Sequence, residues 1–183
     1  LKKEKDAVIL AHNYMTPDIF YGVGDIVGDS LKLAQEAANV KESMIVQCGV
    51  HFMAETSKIL SPKKKVLLPD LKAGCSLAES ITGEALRSFK EDNPGLPVVT
   101  YVNTTAEVKA ESDVCCTSSN AVQIVQEIAK RFDTKRVIMT PDKFLAQNVA
   151  KEVAQDGIEI IIYDGSCMVH EQYSAQDVKN LRE

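Results

Sequence analysis

At 183 residues the chain can bury a sizeable core, as one ordinary domain or two small ones. Its 45% hydrophobic and 26% charged residues are those of a globular protein. A net charge of -5 and only 5% aromatics give no basic footprint or stacking platform for nucleic acid, and no apolar run approaches the ~20 residues that span a membrane.

The opening Leu1-Lys2-Lys3-Glu4-Lys5-Asp6 has neither a methionine nor an apolar signal region. It predicts a piece of a longer, cytoplasmic protein. Beyond it, short β-branched runs alternate with amphipathic stretches to the end of the chain. Strands are expected at 7–11, 43–48, 65–68, 98–102, 113–115, 136–139 and 159–163. Helices are expected at 30–38, 52–60, 83–91, 120–132 and 145–154. Asp29 and Ser119 suit N-caps, and Pro62 and Pro94 fall just past helix ends. Several strands are unbroken apolar runs, as parallel strands buried on both faces are. The alternation predicts an α/β fold made of small three-layer αβα domains with parallel sheets.

The pattern also occurs twice. One strand–helix series ends in Gly74-Cys75, a second in Gly165-Ser166-Cys167, and the cysteines are 92 residues apart (167 minus 75). The segment 92–97, with two prolines and a glycine, is the expected boundary, giving domains at 1–92 and 96–183. Five cysteines in a chain without a secretory signal point to reactive or metal-binding thiols rather than disulfides.

Ligands of open parallel sheets bind at the carboxyl ends of the strands, and the chemistry-bearing residues gather there. His12 and Tyr14 follow the first strand and suit a general acid/base pair, although a lone histidine also caps strands. Tyr101 and Asn103 share one strand face. Asp29-Ser30 and Thr117-Ser118 stand at helix starts, where backbone N–H groups favour anions, or merely accept caps. His51 opens a helix. Cys48 and the pair Cys115-Cys116 fit buried small hydrophobes, and because adjacent cysteines chelate a single metal poorly the pair is given no metal role. Cys75 and Cys167 each follow a strand and a small-residue turn, a possible metal site that would need further ligands.

Several longer strings are recognisable. They are Ala-His-Asn-Tyr (11–14), Gly-Asp-Ser-Leu (28–31), Val-His-Phe-Met-Ala-Glu-Thr-Ser-Lys-Ile-Leu (50–60), Leu-Pro-Asp-Leu-Lys-Ala-Gly-Cys-Ser-Leu-Ala (68–78), Thr-Tyr-Val-Asn-Thr-Thr-Ala-Glu-Val-Lys-Ala (100–110), Asp-Val-Cys-Cys-Thr-Ser-Ser-Asn-Ala (113–121) and Gly-Ser-Cys-Met-Val-His-Glu (165–171). Together, and in this order, they resemble the quinolinate synthase family from about Val8 to His170. The resemblance implies two of three similar α/β domains around a pseudo-threefold axis. It implies a [4Fe–4S] cluster held by one cysteine per domain, here Cys75 and Cys167. The third cysteine would fall roughly 85–95 residues further on. The implied reaction condenses iminoaspartate with dihydroxyacetone phosphate, releasing phosphate and two waters to give quinolinate for NAD biosynthesis. The iron acts as a Lewis acid, and an L-aspartate oxidase or dehydrogenase supplies the iminoaspartate. His12, Tyr14 and Tyr101 map to catalytic positions. Asp29, Ser30, Asn103, Thr117, Ser118 and His170 map to substrate-binding ones. Two other readings compete: a cluster-free anion- or small-molecule-binding remnant, and a zinc hydrolase using His12, Asp70, Cys75 and His170.

Overall fold

A computed structural model describes residues 1–182. The chain forms two compact units that divide between Cys75 and Ser76. In the first, β1 (Ala7–His12), α1 (Pro17–Phe20), β2 (Ile26–Gly28), α2 (Ser30–Asn39), β3 (Met44–Cys48), α3 (His51–Leu60) and β4 (Lys65–Leu67) follow one another. In the second come α4 (Gly83–Glu91), β5 (Val98–Tyr101), α5 (Ala106–Ala110), β6 (Val114–Cys116), α6 (Ala121–Arg131), β7 (Arg136–Thr140), α7 (Lys143–Val153), β8 (Glu159–Ile162) and α8 (Ala175–Asn180). The sheet orders are β2-β1-β3-β4 and β6-β5-β7-β8, parallel throughout. The repeat expected from the sequence is therefore a repeat of topology.

Each sheet carries the same registration device. The Asp25 carboxylate accepts the Ile9 N–H at 2.9 Å while the Asp25 N–H donates to the Ile9 carbonyl. Asp113 and Val98 make the same reciprocal pair in the second unit. These aspartates fix the start of β2 and β6 against the first strand of each sheet. The pairings His12–Gly28 and Tyr101–Cys116 then fall at equivalent places. β2 was not expected from the sequence: three residues flanked by glycine and aspartate leave no periodicity to read. The four- and five-residue α1 and α5 escape for the same reason.

The second sheet alternates its faces residue by residue. Val99, Val137 and Met139 join the cluster built with Val125, Ile128, Ala146 and Val149 of α6 and α7. Val98 and Ile138 point the other way, against Ile81, Leu86 of α4 and Val108 of α5. That is a three-layer αβα arrangement. It also moves the boundary. Residues 83–91, placed by the sequence in the first domain, form α4 and bury Leu86 in the second unit's core. The proline-rich segment 92–97 is the short connection from α4 into β5. In the first unit Val8, Leu10, Ile45, Leu33 and Ala37 form the core beneath α2.

Candidate functional site

The strand ends of the first unit bring His12, Ser30 and Tyr14 together. His12 Nε2 lies 3.3 Å from Ser30 Oγ, and the Tyr14 N–H donates to His12 Nδ1 at 3.4 Å. With Nδ1 accepting, the ring proton sits on Nε2 and points at Ser30. The His12 and Tyr14 rings are 4.0 Å apart. Desolvation lowers the His12 pKa, with Asp29 opposing, so the imidazole is neutral near pH 7. The Tyr14 hydroxyl donates to Met53 Sδ at 3.6 Å, over Gly49. A β-carbon at Gly49 would stand 2.8 Å from that sulfur and 3.5 Å from the hydroxyl, so a larger residue there would shift the Met53 side chain. Desolvation pushes the Tyr14 phenol up to about 12; a Val50 backbone hydrogen bond opposes and Cys75 adds. Tyr14 is thus a proton donor, not a base, at neutral pH.

Asp29 is the N-cap of α2, accepting the Lys32 N–H at 2.8 Å, which puts Ser30 at the first helical position. The helix start at α6 differs from its expectation: Asn120, not Ser119, is the N-cap. Its Oδ1 turns back to accept the Thr117 N–H at 2.7 Å and the Thr117 hydroxyl at 3.1 Å, while Ser119 Oγ pairs with Thr117 Oγ1 at 2.9 Å. Ser118 is exposed beside this turn. A carboxylate already fills the α2 end, whereas α6 begins without one. Of the two, the Thr117-Ser118 turn is the better anion seat.

Tyr101 and Asn103 leave β5 as His12 and Tyr14 leave β1. Lys109 Nζ donates to the carbonyls of Val102, at 2.9 Å, and Thr104, and the Thr104 hydroxyl donates to the Tyr101 carbonyl at 3.1 Å. This lysine, overlooked in the sequence, braces the loop. The Asn103 side-chain oxygen is buried there without a hydrogen-bond partner, an acceptor held ready for a donor.

The two cysteines occupy repeated positions. In the first unit the N–H of His51, first residue of α3, donates to the Ala73 carbonyl at 2.8 Å; in the second, that of Lys143, first residue of α7, donates to the Gly165 carbonyl at 3.0 Å. Cys75 and Cys167 each come two residues after that carbonyl. Cys75 is half-buried and Cys167 buried, with Ser76 Oγ donating to its sulfur at 3.9 Å. Desolvation pushes the buried thiols of Cys48 and Cys116 up, the latter to about 12 with Cys115 adding, so both stay protonated and are poor ligands. Asp70 spends its carboxylate on the Lys72 N–H within its own turn. Among the described residues no group of three or more His, Cys, Asp or Glu could hold a metal ion. For an iron–sulfur cluster the donors fit in kind, as two thiols, but fall short in number.

Two surface grooves, of about 410 and 520 Å³, lie elsewhere. They are lined by Lys130, Asp133 and Lys135 in one unit and by Lys2, Asp6 and Asp25 in the other, at the amino ends of the strands. The carboxyl rim is the place where parallel sheets do chemistry, and it carries the paired and orphaned polar groups. In each unit the carboxyl rim is therefore the candidate site.

Against proteins of known name, all of residues 1–183 match the family model described as quinolinate synthetase A protein. The chain belongs to the quinolinate synthase family. It is 64% identical to quinolinate synthase of Caulobacter vibrioides, 57% to quinolinate synthase 2 of Mesorhizobium japonicum and 56% to quinolinate synthase of Xylella fastidiosa. Each match covers the whole chain but only 49%, 54% and 52% of those relatives. The chain thus spans about half the length of the quinolinate synthases it matches. Among the described residues no helix is long and apolar enough to cross a membrane.

Proposed function

We propose that this chain is the part of a quinolinate synthase that supplies two cluster thiolates and a set of substrate-binding residues. The observation that carries the reading is the repeated placement of Cys75 and Cys167, each two residues past a carbonyl pinned to a helix start. One thiol so placed is unremarkable; the same device in both units assigns them one job. Cys75 and Cys167 would hold a [4Fe–4S] cluster, with the third cysteine outside this chain. When bound, such a cluster supplies a Lewis acid for hydroxyl or carboxylate oxygens.

The substrates are iminoaspartate and dihydroxyacetone phosphate, the iminoaspartate coming from an oxidase or dehydrogenase acting on L-aspartate. Condensation and loss of phosphate and two waters give quinolinate. In that chemistry His12, neutral and with its proton on Nε2, and Ser30 beside it form a donor pair for a substrate carboxylate or carbonyl. Tyr14, with its proton firmly held, donates to a leaving or carbonyl oxygen without ionising. Thr117 and Ser118 seat an anion at the start of α6. The Asn103 oxygen accepts from an imine or hydroxyl, Tyr101 lies beside it, and His170 takes up a proton. Asp29 acts through the α2 cap that sets Ser30. A cytoplasmic setting, where thiols stay reduced, suits this assignment.

Quinolinate formation by the protein extended to its relatives' length, under anaerobic conditions, tests the reading. The complete protein turns over, Cys75→Ser and Cys167→Ser abolish turnover, and the 183-residue chain alone shows little or none. Turnover that survives both serine substitutions would sink it.

A further inference from the structure

The end of β7 holds the Cys167 loop at several points. Asp142 pairs with Gly165 in an isolated parallel bridge, and the Lys143 N–H bonds the Gly165 carbonyl. A β-carbon at Gly165 would stand 2.4 Å from the Pro141 carbonyl oxygen, so the contact is backbone on backbone. Lys143 Nζ reaches Asp164 at 3.3 Å and Glu171 at 3.4 Å, one on each side of the loop. Asp142 is 4% exposed. Its Oδ1 accepts the N–H groups of Phe144 and Leu145 at 2.9 and 3.0 Å, capping α7. Its Oδ2 faces His170 Nδ1 at 3.5 Å.

We infer that Asp142 is the positioning residue of His170, fixing the imidazole as the Nδ1–H tautomer so that Nε2 presents its lone pair. A buried carboxylate needs both oxygens satisfied. The cap spends Oδ1, and the imidazole N–H is the donor opposite Oδ2. Such contacts are often long before a ligand binds. The pairing reproduces the general carboxylate–imidazole device, in which the acid sets the tautomer and does not itself take the proton. His170 is thereby the reverse of His12, whose Nδ1 accepts a backbone N–H. One histidine would offer a proton and the other receive one. The inference rests on placing His170 in the substrate site, but its test does not.

The test is the nitrogen NMR spectrum of the three histidines in the 183-residue chain, recorded at about pH 8.5, well above the ordinary imidazole pKa of about 6.5. His170 should show the protonated-nitrogen shift at Nδ1, and His12 should show it at Nε2. In Asp142→Asn the amide oxygen keeps the cap, since asparagine caps as well as aspartate, and its NH₂ turns to His170. The two His170 nitrogen shifts should then exchange while His12 and the α7 amides stay put. Asp142→Ser also caps but is too short to reach the ring, and it should return His170 to the Nε2–H form that free histidine prefers. A wild-type His170 in the Nε2–H form overturns the inference, as does an Nδ1–H form that survives Asp142→Asn. If Nδ1–H is found and the complete enzyme is indifferent to His170→Asn, the pairing stands and the functional assignment falls.

Discussion

The placement of α4 in the second unit makes a sharp prediction about Leu86. This side chain is fully buried among Ile81, Val98, Val108 and Ile138. Leu86→Ala deletes three carbons from that site, about 2.4 kcal/mol of transfer free energy at ~0.8 per methylene. The unfilled space adds a cavity cost, bringing the total to about 3 kcal/mol, inside the range of about 2–5 for buried leucines. In a unit of roughly a hundred residues that lowers the midpoint of thermal unfolding by about 12–24 °C. Native-state hydrogen exchange locates the loss. Amides of β5 and β7 should lose protection by the full amount while those of β1 and β3 keep theirs. If instead the first unit's amides lose protection, or the loss is below about 1 kcal/mol, α4 belongs where the proline-rich segment put it and the packing described here is wrong.

Gln47, fully buried in β3, accepts the Ser57 hydroxyl at 2.9 Å through Oε1, while its Nε2 has no partner. Ser57→Ala should cost about 1–3 kcal/mol by leaving the whole amide unsatisfied, and Gln47→Leu in the same chain should recover most of it, read by urea denaturation. His12 supplies a pH signature. Its pKa is depressed in the fold, so below about pH 6.5 the unfolded chain binds a proton that the folded one refuses. The associated stability is intact above that pH and is lost as the pH falls through the folded value. A His12→Gln chain should therefore lose less stability than wild type between pH 7 and 5; equal slopes would contradict the desolvation argument. Asp29→Ala removes the α2 cap and should cost about 1 kcal/mol, with Asp29→Asn close to neutral in the same denaturation series.

The sequence made the strand and helix order legible because buried parallel strands and amphipathic helices each have a period. It made the rim legible because residues such as His12, Tyr14 and Asn103 stand where apolar runs stop. What stayed hidden lacks a local signature. β2 is held by the Asp25–Ile9 pair across 16 residues, and α4 declares its unit only through contacts with β5 and β7. Lys109 shows its role only through its two carbonyl partners, and Asp142 only through the contact of Oδ2 with His170. Gln47 did carry a signal, a lone amide inside Met-Ile-Val-Gln-Cys, that calls for a buried partner. The Asp29 cap was legible from the sequence, whereas the start of α6 needed the structure, where Asn120 takes the place expected of Ser119 and turns its oxygen back to Thr117.

The central claim is that Cys75 and Cys167 are the chain's two cluster ligands and that its other cysteines are not. Iron and sulfide bound per chain after anaerobic reconstitution measures this directly, in the protein extended to its relatives' length and in its single Cys→Ser variants at positions 48, 75, 115, 116 and 167. Iron and sulfide should bind in equal amounts, be lost with Cys75→Ser or Cys167→Ser, and persist with Cys48→Ser, Cys115→Ser or Cys116→Ser. Binding that survives the first two substitutions, or that vanishes with Cys115→Ser or Cys116→Ser, would contradict the account.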